Sequence, residues 1–337
     1  MLADEILAAV NSPVDRVYTG AISALGIAIR QAKRFDLVPG VIVTANTVSS
    51  SSITAQLRAL PLCRLPFEFV WMEWPGADPV YDAFQDDNAT AAAPRPHRMG
   101  VLIHTDESRQ KGSMTFAWSH RQHGINACPL ACFFDWRADG AKVEDVIHDL
   151  FRQSGRTEDD LRRTIIEQDR SLPQMKGSSE SDVINSRSRF GFNISPAFRS
   201  WAGATVQRHG ALPGPGTPEW KMWTSDIRGE PGIVRSILLL LNSRNLTHGE
   251  DVPAPERLNR QRAKTGKLPL LGHTKIRIKL SRALQQRAGE GRQREASRLH
   301  AVRGHFKVRA SGVYWWSDFI RGDPTRGVIQ GTYKIDA

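Results

Sequence analysis

The chain has 337 residues, 40% of them hydrophobic and 24% charged, with a formal net charge of +11. That composition supports a packed core and excludes wholesale disorder. An odd cysteine count of three argues against a disulfide scaffold. No unbroken apolar run is longer than that at residues 237–241, far below the roughly 20 residues that span a bilayer. The opening MLADEILAAV places acids where a secretory signal needs bases, so a cytoplasmic protein without membrane segments is expected.

Residues 2–10 and 15–34 have helical spacing, separated by Asn11-Ser12-Pro13. Val41, Ile42, Val43 and Thr44 form a β-branched run, and 53–60 reads as a helix. Residues 67–74 alternate as a strand, with Phe67, Phe69, Trp71 and Glu73 on one face and Glu68, Val70, Met72 and Trp74 on the other. A Pro-, Ala- and Asp-rich loop over 75–98 precedes three further strands at 99–104, 113–120 and 130–136. Helical spacing returns at 142–152 and 158–169, the second capped by Thr157. Residues 171–222 are rich in Ser, Gly and Pro and read as irregular. Pro231 starts a helix over 233–242, apolar all round at its end, which predicts a buried core helix. Beyond it, 251–258 reads as extended, 257–267 as basic, and 274–280 as an alternating strand. Residues 282–298 read as an exposed loop or frayed helix, before strands at 305–309, 313–320 and 327–335 with a turn at Ser311-Gly312.

These elements predict an α+β fold. A mixed or antiparallel sheet with flanking helices would occupy residues 1–248, and a small basic β-rich module residues 249–337. The charge supports the division. Residues 244–337 hold 20 Lys and Arg against 8 Asp and Glu, whereas 1–243 hold 26 against 27. A basic unit joined to a neutral one is the footprint expected for contact with phosphates or an acidic protein. Its candidate contact residues are Arg257, Arg260, Arg262, Lys264, Lys267, Arg303, Gly304, Phe306, Lys307, Arg309 and Tyr314. The cations would neutralise phosphates, and Tyr314 or a neighbouring Trp would offer a stacking face. Strand alternation at 313–316 also turns at least one of Trp315 and Trp316 inward.

Three other constellations bear on chemistry. His300 and His305 bracket Arg303, a pattern that would suit metal-free RNA cleavage by an acid–base pair with a charge-stabilising guanidinium. His120, His123, Cys128 and Cys132 are zinc-competent types, although their spacing is not a common zinc pattern and Cys132 falls in a strand. Glu68, Glu73, Asp106, Glu107 and Asp135 fall at strand ends, where solvated carboxylates are the ordinary expectation. The chain has no phosphate-binding glycine loop, no Gly-x-Ser-x-Gly elbow and no His-Glu-x-x-His pair, and nothing in it calls for a cofactor.

Leu65-Pro66-Phe67 leads into an aromatic strand. A Leu-rich helix, the connector Pro255-Glu256-Arg257-Leu258-Asn259-Arg260, and His300-x-x-Arg303-Gly304-His305-Phe306 follow in order. This succession resembles a group of phage and prophage proteins that includes a type V anti-CRISPR inhibitor family. That family's C-terminal part carries a similar His-x-x-Arg-Gly-His-Trp motif; Phe306 stands where it has Trp. The resemblance implies a mobile-element protein acting inside a bacterial cell by binding a host or defence protein, with an effect on its RNA or its synthesis. It singles out His300, Arg303, Gly304, His305 and Phe306. Sequence reading thus favours a binding protein of the anti-defence class. A ribonuclease using His300 and His305, and a structural or assembly protein of a phage or mobile element, are the alternatives.

Overall fold

The computed structural model describes residues 1–9, 19–49, 51–76, 96–120, 124–137, 157–170, 175, 177–199, 202–203, 206–207, 212–214, 217–227, 229–278, 298–302, 305–316, 319–321 and 323–328. Its centre is an eight-stranded mixed sheet. In chain order the strands are β1 (Lys33–Leu37), β2 (Phe69–Pro75), β3 (Arg98–Thr105), β4 (Lys111–His120), β5 (Gly124–Asp135), β6 (Phe190–Ile194), β7 (Thr247–Val252) and β8 (His273–Ile278). They lie side by side as β6-β5-β4-β3-β2-β1-β8-β7. From β2 to β6 each neighbour is antiparallel. Strand β1 is parallel to both β2 and β8, and β7 closes the edge antiparallel to β8. The architecture is α+β, as the element pattern predicts.

Strand alternation divides the core between the two faces of the sheet. On one face Trp71 and Ala117 meet Leu2, Ala3 and Ile6 of α1 (Leu2–Ala9) and Leu25 and Ile29 of α2 (Thr19–Gln31). On the other, Val70, Met72, Val101 and Phe116 join a larger cluster with α3 (Pro39–Ser49), α4 (Ile53–Ala59) and the apolar helix Glu230–Leu241. The Trp71 ring needs a neighbour without a side chain. A Cβ at Gly100 would lie 2.4 Å from Trp71 Cζ2.

The β-branched run at 41–44 is helical, as part of α3. Pro39 suits a first helical turn, and Val41, Ile42, Ala45 and Val48 make one buried helical stripe. The helix expected over 15–34 ends earlier, at Gln31, and Lys33 and Arg34 belong instead to β1. Among the described residues three further helices, α5 (Glu158–Arg170), α6 (Glu180–Ser188) and α7 (Pro218–Asp226), join the apolar helix, α8 (Glu230–Leu241), on the larger face. Thr157 caps α5 as expected, its Oγ1 accepting from the Asp160 amide at 3.2 Å. The helix expected at 142–152 lies outside the described residues.

Glu73 departs most from expectation. It is fully buried rather than a solvated strand end. One carboxylate oxygen accepts from the Leu2 amide at 3.0 Å and from Arg98 at 2.6 Å. The other accepts from the Ala3 amide and Trp71 Nε1, each at 2.9 Å. Arg98 also reaches Asp36 at 2.8 Å. A single carboxylate therefore satisfies two orphan amides at the start of α1 and, through Arg98, joins β1, β2 and β3.

The sheet does not follow the expected division between residues 1–248 and 249–337. The boundary falls inside β7, and β8 pairs with β1 from the start of the chain. The remaining strands are β9 (Arg298–Val302), β10 (His305–Arg309), β11 (Gly312–Trp316), β12 (Phe319–Arg321) and β13 (Asp323–Val328). They form a β10–β11 pair and a separate β12-β9-β13 sheet. Phe306, Val313 and Trp315 of the β10–β11 pair belong to the same core cluster as the large sheet. Among the described residues no helix is long and apolar enough to cross a membrane.

Two stability predictions follow. Glu73→Ala leaves two amides and an indole N–H without their acceptor and takes from Arg98 one of its two carboxylates, and is expected to cost about 3–5 kcal/mol in denaturant unfolding. A near-neutral result would show that the carboxylate is not what holds α1. The second concerns Glu230, whose carboxyl burial pushes up to about 7, above the ordinary value of about 4.3. The folded state then keeps a proton that the unfolded chain has lost, so stability falls as pH rises through that window and levels off above it. Glu230→Gln should remove this component of the slope and raise stability at pH 8 by up to about 3 kcal/mol. Parallel wild-type and variant curves from pH 4 to 8 would contradict it.

Candidate nucleic-acid interface

Two cationic elements leave the body of the fold at opposite ends of β7. The first is the connection between β7 and β8. Their pairing runs from Thr247↔Ile278 to Val252↔His273, so residues 253–272 make an excursion from the sheet edge. It contains α9 (Glu256–Lys264), which has no buried residue. Helix α9 ends in a Schellman turn. The Lys267 amide donates to Arg262 O at 2.9 Å and the Gly266 amide to Ala263 O at 3.1 Å. Gly266 supplies the left-handed conformation at φ 65°.

Side chains then fasten the returning strand to the helix. Asn259 Nδ2 donates to Leu270 O at 2.9 Å, and its Oδ1 accepts from the Leu270 amide at 2.7 Å. Arg262 Nε donates to Leu268 O at 2.7 Å. At the base, Arg34 Nε donates to Gly272 O at 2.8 Å, while its Nη1 reaches carbonyls at the end of α2. Asn259 and Arg262 are three residues apart and share the inward face of α9. Arg257, Arg260, Gln261 and Lys264 stay exposed, as does Lys267. The Arg260–Glu256 pair, 3.9 Å apart and open to water, neutralises little.

The second element is the β10–β11 hairpin. Its register pairs Phe306 with Trp315, Val308 with Val313, Lys307 with Tyr314 and Arg309 with Gly312. Phe306, Val313 and Trp315 are buried, the Phe306 and Trp315 rings 4.7 Å apart. The segment leaving α8 fastens this face. Asn245 Nδ2 donates to Trp315 O at 2.9 Å, its Oδ1 accepts from the Trp315 amide at 3.3 Å, and the Arg244 amide donates to Val313 O at 3.3 Å.

The opposite face carries cations and rings. Lys307 Nζ lies 3.7 Å from the centroid of the Trp316 ring, and the Arg309 guanidinium carbon 5.8 Å from that of Tyr314. Ser311 Oγ and Tyr314 OH are 3.1 Å apart, which fixes the phenol. Arg244 completes the group. A Cβ on Gly312 would come within 3.0 Å of Arg244 Nε, so its side chain lies against the hairpin at the position opposite Arg309. Among the described residues, none of Arg244, Lys307 and Arg309 has a carboxylate within ion-pair distance.

The predicted site residues thus separate. Arg257, Arg260, Lys264, Lys267, Lys307, Arg309 and Tyr314 are available to a partner at least in part. Arg262 fastens the excursion through its Nε, and Phe306 is a core residue that anchors the hairpin. Arg303 and Gly304 lie outside the described residues, as do the side chains of His300 and His305. The backbone places His300 on β9 and His305 on β10, in different sheets. Of the proposed zinc ligands, His123 lies outside the described residues and His120 ends β4. Cys128 and Cys132 are core residues of β5, and burial pushes the Cys128 thiol up to about 12. No group of three or more His, Cys, Asp or Glu suited to a metal occurs among the described residues. Sequence reading did not identify Arg244 or Asn259, and it offered Trp315 or Trp316 as a stacking face without deciding between them. Arg244 has no local signal, since only folding brings it to the hairpin.

Comparison with known protein families, curated proteins and solved structures finds no match to this chain.

The latch yields a local prediction. Asn259→Ala should raise backbone amide exchange across 256–270 at least tenfold, with β2–β4 unchanged. Equal exchange in both proteins would mean that Asn259 does not organise the excursion.

Proposed function

We propose that this chain is a binding protein that holds RNA on the cationic surface formed by the hairpin and the α9 excursion. The observation that carries this reading is the hairpin's outer face, where Arg244, Lys307 and Arg309 have no carboxylate of the described residues within ion-pair distance. Like charges held side by side repel one another, and a polyanion relieves that repulsion while releasing its own counterions. The buried anchors of the hairpin and the Asn259 and Arg262 latch fix both cationic elements before binding, which lowers the ordering cost. The resemblance of the 300–306 motif to phage proteins that include an anti-CRISPR family favours a cytoplasmic anti-defence role in a bacterial host. A host or defence protein would then be the second partner.

The test uses the full chain and a labelled RNA oligomer, with affinity followed from low to moderate salt. A linear fall of log K with log salt is expected, each phosphate contact contributing about 0.7 to the slope. The triple variant Arg244→Ala, Lys307→Ala, Arg309→Ala should flatten the slope by about 2 and weaken binding at every salt concentration. Failure to bind RNA at low salt, alongside binding to polyglutamate, would replace RNA with an acidic protein surface.

A further inference from the structure

The hairpin's outer face carries more than charge. Tyr314 and Trp316 are two residues apart on β11, so their side chains leave the same face of the pair. They are set about 7 Å apart along the strand. That is about twice the 3.4 Å step between neighbouring bases in a stacked helix. Two consecutive bases can each cover one of these rings only if they are not stacked on one another, and a paired duplex does not allow that. Cations flank both rings: Lys307 is directly opposite Tyr314 and reaches over Trp316, and Arg309 reaches toward Tyr314. Trp316 is 36% exposed despite its size.

From this juxtaposition we infer that the outer face of the β10–β11 hairpin is a stacking platform for an unpaired nucleic-acid strand, taking two successive bases on Tyr314 and Trp316. Arg244, Lys307 and Arg309 hold the adjoining phosphates. Lys307 has a double role: it sits over the Trp316 ring when the platform is empty, and its ammonium moves to a phosphate when a base takes that position. The Ser311 contact keeps the Tyr314 ring oriented, and the buried Phe306 and Trp315 keep β10 and β11 in register beneath it. The inference rests on the RNA-binding reading above and narrows it to single strands read by their bases' faces rather than by sequence.

The test compares three probes of equal length against the intact protein: an unstructured single-stranded RNA, an abasic strand with the same phosphates, and an RNA duplex. Anisotropy titrations at one salt concentration should give at least tenfold tighter binding to the base-bearing strand than to the abasic strand or the duplex. Tyr314→Ala and Trp316→Ala should each lose about tenfold on the base-bearing strand and little on the abasic one. Trp316→Phe should retain most of the affinity, which controls for folding. Lys307→Ala should weaken both strands and flatten the salt slope. Equal binding of the base-bearing and abasic strands, with a steep salt slope, would overturn the platform while leaving the polyanion reading in place. Absence of salt-sensitive binding to any of the three would overturn both.

Discussion

A buried carboxylate organises the centre of this molecule. Glu73 accepts hydrogen bonds from the first turn of α1, from the Trp71 indole and from Arg98, which also holds Asp36 on the neighbouring parallel strand. Burying such a charge is costly unless every lone pair is used and a cation is near. Here both conditions are met by groups from α1, β2 and β3. The arrangement fixes α1 over the sheet, and with it the smaller of the two cores.

The second constraint is the position of β1. It is parallel to strands on both sides, one from early in the chain and one from residues 273–278. Its pairing brings late sequence into the central sheet and makes β7 the edge. The two ends of β7 then determine where the cationic elements stand. The hairpin docks beside its start, through Asn245, and the α9 excursion leaves from its end. Six residues of extended chain place them about 20 Å apart. A flexible strand of several nucleotides spans such a distance easily, whereas a small anion does not.

Two asparagines do similar mechanical work at these elements. Asn245 and Asn259 each use both ends of the carboxamide on the backbone amide and carbonyl of one residue, Trp315 and Leu270 respectively. Each fixes an outlying segment without occupying its outer face. The cations are therefore divided by role. Arg34 and Arg262 hold backbone, Arg98 holds carboxylates, and Arg244, Lys307 and Arg309 meet no carboxylate among the described residues.

The sequence alone determined the strands that alternate, residues 67–74 and 274–280, because a period of two is written locally. It also determined the apolar helix, expected at 233–242 and found at Glu230–Leu241, from Pro231 at its start and the apolar run at 237–241, together with the cationic excess of the last quarter of the chain. Tertiary structure decided the rest. KRFDL at 33–37 becomes a strand because β2 and β8 flank it, partners that lie far along the chain. Glu73 is an ion-pair centre rather than a surface acid because Leu2 and Ala3, some 70 residues away, present their amides to it. Which of Phe306, Trp315 and Trp316 would be core depended on the surface that α4 and residues 243–245 offered the hairpin, and which arginines would be consumed by backbone carbonyls depended on how the α9 excursion folds back onto itself and onto β1. Charge can be counted along a chain, but whether a given charge meets a partner depends on distances that only folding sets.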